Sequence, residues 1–177
     1  MSQANRRSAA VTGAGGGLGR DIALGLAAKH YRVFGTAMSP KEIADVQQAS
    51  GGTVTLTRCD ITDEAVVKRW AHDVATQTDG GLDLLINNAG ILTPGPLEVL
   101  SLDAIRREFE VNVFGAVSVI NAFLAALQIV MQQRGFRNTR RLALTQQQWG
   151  HRLHEATPSQ NEHCPEDAEA SDQSISA

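Results

Sequence analysis

The chain has 177 residues, 42% of them hydrophobic, enough for one domain with a buried core. A formal net charge of -3 and a sequence pI near 5.9 give no overall field to draw in nucleic acid or an anionic membrane, so neither partner is expected. There is no run of about 18 consecutive apolar residues and no signal-like stretch behind Arg6 and Arg7, which predicts a soluble, cytoplasmic protein.

In chain order, short apolar runs alternate with helix-length segments. SAAVTG precedes LGRDIALGLAAKH, YRVFGTA precedes SPKEIADVQQ, TVTLTRC precedes DEAVVKRWAHDVATQ, and LDLLINNAG precedes the long segment beginning at Ser101 and ending at Leu127. Four beta-alpha units follow from that order. In the first helix Leu18, Ile22 and Leu26 recur at four-residue steps and predict one apolar face for packing on a sheet. Val66, Val67, Trp70 and Val74 do the same in the third. LDLLIN is nearly continuous in apolar residues, as expected of a parallel strand covered by helices on both faces. The predicted fold class is α/β: a Rossmann-like, doubly wound parallel sheet with right-handed crossovers, incomplete at four to five strands.

Beyond Leu127 the character changes. Eight of the twelve glutamines lie there, and basic residues crowd Arg134 to Arg152. The domain is therefore read as residues 1–150, degenerate after 127, with a polar tail over 151–177. From about Thr157 the tail is expected to be disordered, for want of apolar groups to offset its ordering entropy. His151, His154, His163 and Cys164 offer a metal-ligand set on paper, but a chance cluster in a tail explains them better, and no metal is expected. Cys59 and Cys164 lack paired spacing and are expected as reduced thiols.

AAVTGAGGGLGRDIALGL places Gly13, Gly17 and Gly19 between a strand and a helix, the context that distinguishes a dinucleotide fingerprint from a chance match. Such glycines let the backbone turn tightly and approach a pyrophosphate, while N–H groups at the helix start point at its charge. Side chains there are expected to collide with the ligand.

The spacing Thr12-Gly13-x-x-x-Gly17-x-Gly19 resembles that of the short-chain dehydrogenase/reductase family. RCDIT, LINNAG and FEVNVFGAV extend the resemblance over residues 8 to about 127. It implies that Thr12, Gly13, Gly17, Leu18 and Gly19 bind the cofactor through the turn. Asp60 and Ile61 then serve the adenine, and Asn88, Ala89 and Gly90 line its ribose. Asn112 is implied as the helix asparagine of a catalytic tetrad, holding a water in the proton relay. The helix over 101–127 is the one through which the family forms dimers, which makes a homo-oligomer a partner to test.

The second strand ends FGTAMSPK, with no carboxylate to accept from a ribose 2'-hydroxyl. Ser39 is able to donate to a 2'-phosphate, so NADP is expected over NAD. Met38 stands where an arginine is usual and cannot pair bidentately with phosphate. Lys41 is either a longer-range substitute or a solvated charge at the next helix.

Hydride transfer to a carbonyl needs an acid for the developing alkoxide, which the family supplies through Ser...Tyr-x-x-x-Lys. The chain's only tyrosine is Tyr31, at the start of the second strand, and no lysine follows Lys68. IVMQQ, likened to the family's fifth strand, has Gln132 and Gln133 where serines are usual. LALTQQQWG has Thr145 for tyrosine and Trp149 near the lysine position, and a threonine hydroxyl without a lysine has no activator. Serine codons AGC read one nucleotide out of register give CAG glutamine codons, which suggests a reading-frame disturbance. The expected function is an NAD(P)(H)-binding protein of oxidoreductase lineage, catalytically impaired. The alternatives are a non-catalytic NADP-binding or interaction module, or an unstable truncated product.

Overall fold

In a computed structural model, residues 6–133 are described. They form four strands and five α-helices: β1 (Ser8–Val11), α1 (Gly17–Ala28), β2 (Arg32–Ala37), α2 (Pro40–Ala49), β3 (Val54–Arg58), α3 (Glu64–Gln77), β4 (Leu84–Ile86), α4 (Leu102–Phe109) and α5 (Ala116–Gln133). A π-helical turn, Glu110–Gly115, joins α4 to α5. The sheet order is β3-β2-β1-β4 and every pairing is parallel, with Ala10 opposite Phe34 and Leu85, and Phe34 opposite Thr55. The α/β, Rossmann-like architecture read from the sequence is thus the observed one.

Side chains alternate across the strands, so the sheet buries two cores. On one face Ala10, Phe34 and Cys59 pack with Val67, Trp70 and Val74 of α3 and Val119, Phe123 and Ala126 of α5. Trp70 and Phe123 meet edge to face, centroids 4.8 Å apart at 73°, an arrangement favoured by the ring quadrupoles. On the other, Val11 and Val33 pack with Ala23 of α1 and Val46 of α2.

Three expectations need correction. Leu18 does not belong to the packing face of α1: it is 69% exposed, while Gly19 and Ala23 are buried and Ile22 and Leu26 are partly so. The helix packs so tightly at the glycine turn that only small residues fit beneath its first turn, which rotates Leu18 outward. The continuous apolar run at β4 is not fully covered. Leu84, Leu85 and Ile86 are all half-buried, because β4 has β1 as its only partner strand among the described residues. Finally, IVMQQ is not a fifth strand: α5 runs through Gln133, so Gln132 and Gln133 end a helix. The unbranched, helix-favouring run AALQ leading into it offers no turn residue to stop it. Thr145, Trp149, the His151, His154, His163 and Cys164 cluster, and the tail over 151–177 lie outside the described residues.

The helical run Leu102–Gln133 is 32 residues long, with mean hydropathy 2.1 over its most apolar window, long and apolar enough to cross a membrane. Val119, Phe123 and Ala126 of this run are buried in the core, while Phe109, Phe114, Val117, Ile120 and Leu124 remain exposed.

Phe123 is fully buried against Trp70, so Phe123→Ala is expected to cost about 3–5 kcal/mol in transfer and cavity terms. A urea titration followed by Trp fluorescence should show the midpoint fall accordingly.

Candidate functional site

The strand order reverses between β1 and β4: successive strands step outward from β1 to β3, then β4 returns to the other side of β1. Chains leaving β1 and β4 at their carboxyl ends therefore diverge and open a crevice, where ligands of open α/β sheets bind. The turn after β1 and the segment after β4 form its walls.

Thr12 ties those walls together. It is fully buried, and its Oγ1 accepts from the backbone N–H groups of Asn88 and Ala89 at 2.9 and 3.0 Å. Asn88 Nδ2 donates in return to the carbonyls of Thr12 and Gly13 at 3.0 and 3.3 Å. From the other side, Thr36 Oγ1 of β2 accepts from Gly13 N at 3.0 Å.

The glycines answer to this framework. Gly13 has φ +65° and Gly17 +51°, a region in which L side chains are strained. A Cβ at Gly19 would lie 2.2 Å from the Gly13 carbonyl oxygen and 2.4 Å from Asn88 Nδ2, and one at Gly13 would lie 2.9 Å from Ala89 Cα. The collision expected with the ligand is thus, at Gly13 and Gly19, a collision with the protein itself. Gly16, the N-cap of α1, provides no side-chain cap, so the first-turn N–H groups are left for an anion.

A cavity of about 220 Å³ opens beside the turn, lined in part by Gly13, Gly15, Asp60, Ile61, Ala89 and Gly90. Asp60 Oδ1 accepts from Thr62 N and Oγ1 at 3.0 and 2.8 Å, an Asx turn that fixes the loop after β3. Ile61 is buried and belongs to the core as well as to the cavity wall.

Asn112 lies in the π-helical turn, and its amide clamps the segment after β4. Oδ1 accepts from Ile91 N and Nδ2 donates to the Ile91 carbonyl, both at 2.8 Å. Its side chain thus holds backbone, beside Gly90. Tyr31 sits at the amino end of β2, where its hydroxyl receives Arg7 Nη1 at 3.3 Å, at the opposite end of the sheet from the crevice.

One expectation at the end of β2 changes. A carboxylate does stand there: Glu42 reaches back from α2, its Oε2 accepting from both Met38 N and Ser39 N at 3.1 Å. Sequence reading looked at the strand end and missed it, although Ser39-Pro40-Lys41-Glu42 is a legible capping-box pattern. Ser39 is the N-cap, its Oγ accepting from Glu42 N at 3.2 Å. Lys41 pairs with Asp45 at 2.8 Å and is exposed, the arrangement of a solvated helix charge.

Cys59 also lines the cavity. Burial, then the nearby carboxylates of Asp60 and Asp63, push its thiol up to about 11, since both disfavour the thiolate.

The short chain dehydrogenase family model matches residues 7–136. Human retinol dehydrogenase 8 is 34% identical over 130 residues, 69% of this chain and 40% of that protein. An uncharacterized oxidoreductase of Myxococcus xanthus is 35% identical over 140 residues, covering 76% and 53%. Among solved structures, the NADPH-bound carbonyl reductase from chicken fatty liver superposes with a TM-score of 0.68 at 29% identity, covering 73% of this chain and 51% of that one. The chain therefore spans about half the length of relatives it matches, or less.

Thr12→Val keeps the shape but leaves the Asn88 and Ala89 N–H groups without their acceptor, for an expected loss of about 1–3 kcal/mol measurable as a lower thermal midpoint. Cys59 is expected to resist iodoacetamide at pH 8 in the native protein and to react once urea is added. Peptide-level mass spectrometry would separate it from Cys164.

Proposed function

The chain belongs to the short-chain dehydrogenase family, and from that premise we propose that the β1/β4 crevice binds a nicotinamide dinucleotide. The observation that carries this is the uncapped start of α1 beside a turn whose glycines are held in place by Thr12 and Asn88. Gly13, Gly17, Leu18 and Gly19 would hold the pyrophosphate, Asp60 and Ile61 the adenine, and Asn88, Ala89 and Gly90 the ribose. The donor set fits: backbone N–H groups suit an anion, and a cavity with apolar and carboxylate walls suits a nucleoside. Bound, such a cofactor supplies hydride transfer. The cytoplasmic setting expected from the sequence belongs to this proposal.

NADP was the expected form because no carboxylate was seen at the end of β2. Glu42 removes that premise, while Ser39 Oγ, which accepts from Glu42 N as the helix cap, keeps an O–H able to donate.

The catalytic part of the proposal is that this chain holds the cofactor without carrying out carbonyl reduction. Asn112 keeps the tetrad asparagine's place, and its bonds to Ile91 make it a positioning residue for the cofactor wall. The chain's single tyrosine, the residue type the family uses as its acid, lies at the far end of the sheet from the crevice. An interaction module is the second reading, favoured by the exposed Phe109, Phe114 and Leu124 on the helical run and by the half-covered β4.

Gly16 provides a clean test, because its backbone is extended and a Cβ there meets nothing within 4 Å. Gly16→Asp places a good N-cap on α1 and a negative charge where the pyrophosphate would lie. We expect an unchanged or raised thermal midpoint with at least about tenfold weaker NADH or NADPH binding by fluorescence titration. Equal affinity in the variant would remove the crevice as the site. Steady NAD(P)H oxidation with a panel of carbonyl compounds would overturn the catalytic part.

A further inference from the structure

We infer that Glu42 decides which dinucleotide the crevice accepts, selecting NAD(H) and rejecting NADP(H). The inference rests on the cofactor reading above and extends it to the cofactor's adenosine end.

The backbone at the end of β2 presents two neighbouring N–H groups, those of Met38 and Ser39. Adjacent backbone donors of this kind form a natural seat for an anion. In this chain the seat is taken from within: Glu42 Oε2 accepts from both, at 3.1 Å each. The same carboxylate lies against the glycine turn, since a Cβ at Gly15 would fall 2.8 Å from Oε2 and 2.9 Å from Glu42 Cβ. Gly15 is thus what allows Glu42 to fold over the turn, and Glu42 lines one cavity with Gly13, Thr36 and Asp60.

The ribose of a dinucleotide's adenosine half lies beside the end of β2, where an acidic side chain accepts from its 2'-hydroxyl. A neutral 2'-hydroxyl is a donor and can satisfy the second lone pairs of Glu42. A 2'-phosphate brings only acceptors and further negative charge. It must displace the carboxylate from Met38 N and Ser39 N or rest against it, and both are unfavourable.

The positive charges nearby do not cancel this one. Lys41 is held by Asp45 on the exposed side of α2. Arg107, from α4, lines the cavity together with Asp60 as well as Glu42. Arg20 lies in a separate hollow with Gly15, Gly16, Gly17 and Asp45, its Nε buried and without a hydrogen-bond partner among the described residues. Among the described residues, Arg20, Arg107 and Arg58, the register partner of Ala37 at the end of β2, are the cations whose participation would reverse the preference.

Glu42→Gln separates charge from structure, because glutamine at this helix position retains the capping-box acceptor. Affinities for NADH and NADPH would be measured by fluorescence titration on the full chain and the variant, with thermal midpoints as a folding control. The wild-type chain is expected to bind NADH at least about tenfold more tightly than NADPH, and Glu42→Gln to shrink that ratio by about tenfold, mainly through NADPH. Glu42→Ala should shrink it likewise while also lowering the midpoint. Wild-type preference for NADPH would overturn the inference in favour of one of these arginines. An equal change in both affinities in Glu42→Gln would show a cap and nothing more. Failure of either cofactor to bind the wild-type chain would overturn the crevice reading and this inference with it, which distinguishes that result from the other two.

Discussion

The buried hydroxyl of Thr12 accepts two backbone N–H groups from the segment after β4, and the rest of the crevice is arranged around that contact. A hydroxyl with no exposure to water must find partners or impose a desolvation cost, and it finds them only when β1 and β4 lie side by side in the observed register. Asn88 closes the circuit by donating to the carbonyls of Thr12 and Gly13. That leaves no room beneath the first turn of α1, so position 19 is glycine for reasons of packing. The proposed ligand site and a structural joint are thereby the same few atoms. The proposal that it takes an anion then follows from an N-terminus that no side chain has capped.

Much of this was legible before the structure. Thr12, Gly13, Gly17 and Gly19 fall within eight residues, and the strand before them and the helix after them announce themselves by local pattern alone. Asp60, Asn88 and Asn112 were recognisable by likeness of short motifs, though not by what their side chains touch. That Asn112 would spend both ends of its amide on Ile91 depends on a π-helical turn, for which EVNVFG carries no local signal. Leu18 was misplaced because four-residue periodicity assumes that a helix packs by its largest apolar residues, whereas α1 packs by Gly19 and Ala23. The most consequential miss was Glu42. Its spacing from Ser39 was readable as a helix start, but its meaning comes from the strand end lying behind it.

The helical run Leu102–Gln133 illustrates a different limit. Its composition fits a membrane span, a core helix and an interface helix alike. Contacts divide those roles: Val119, Phe123 and Ala126 are committed to α3 and the sheet, while the outward side keeps Phe114, Val117, Ile120 and Leu124 in water. Exposed apolar surface of that kind, beside a strand that has one partner strand among the described residues, is characteristic of a surface that associates. The residues matched here make up 40% and 53% of two such relatives, whose chains extend well beyond them.

The joint at Thr12 also dictates an order of events during folding. Its partners lie 76 and 77 positions further along the chain, whereas β1 and β2 are joined through a single intervening helix. Closing so long a loop must precede the contacts that reward it, and parallel pairing with β4 offers no shortcut through a hairpin. The glycine turn is therefore made before its partners are, and takes the form proposed to bind a dinucleotide only when β4 arrives.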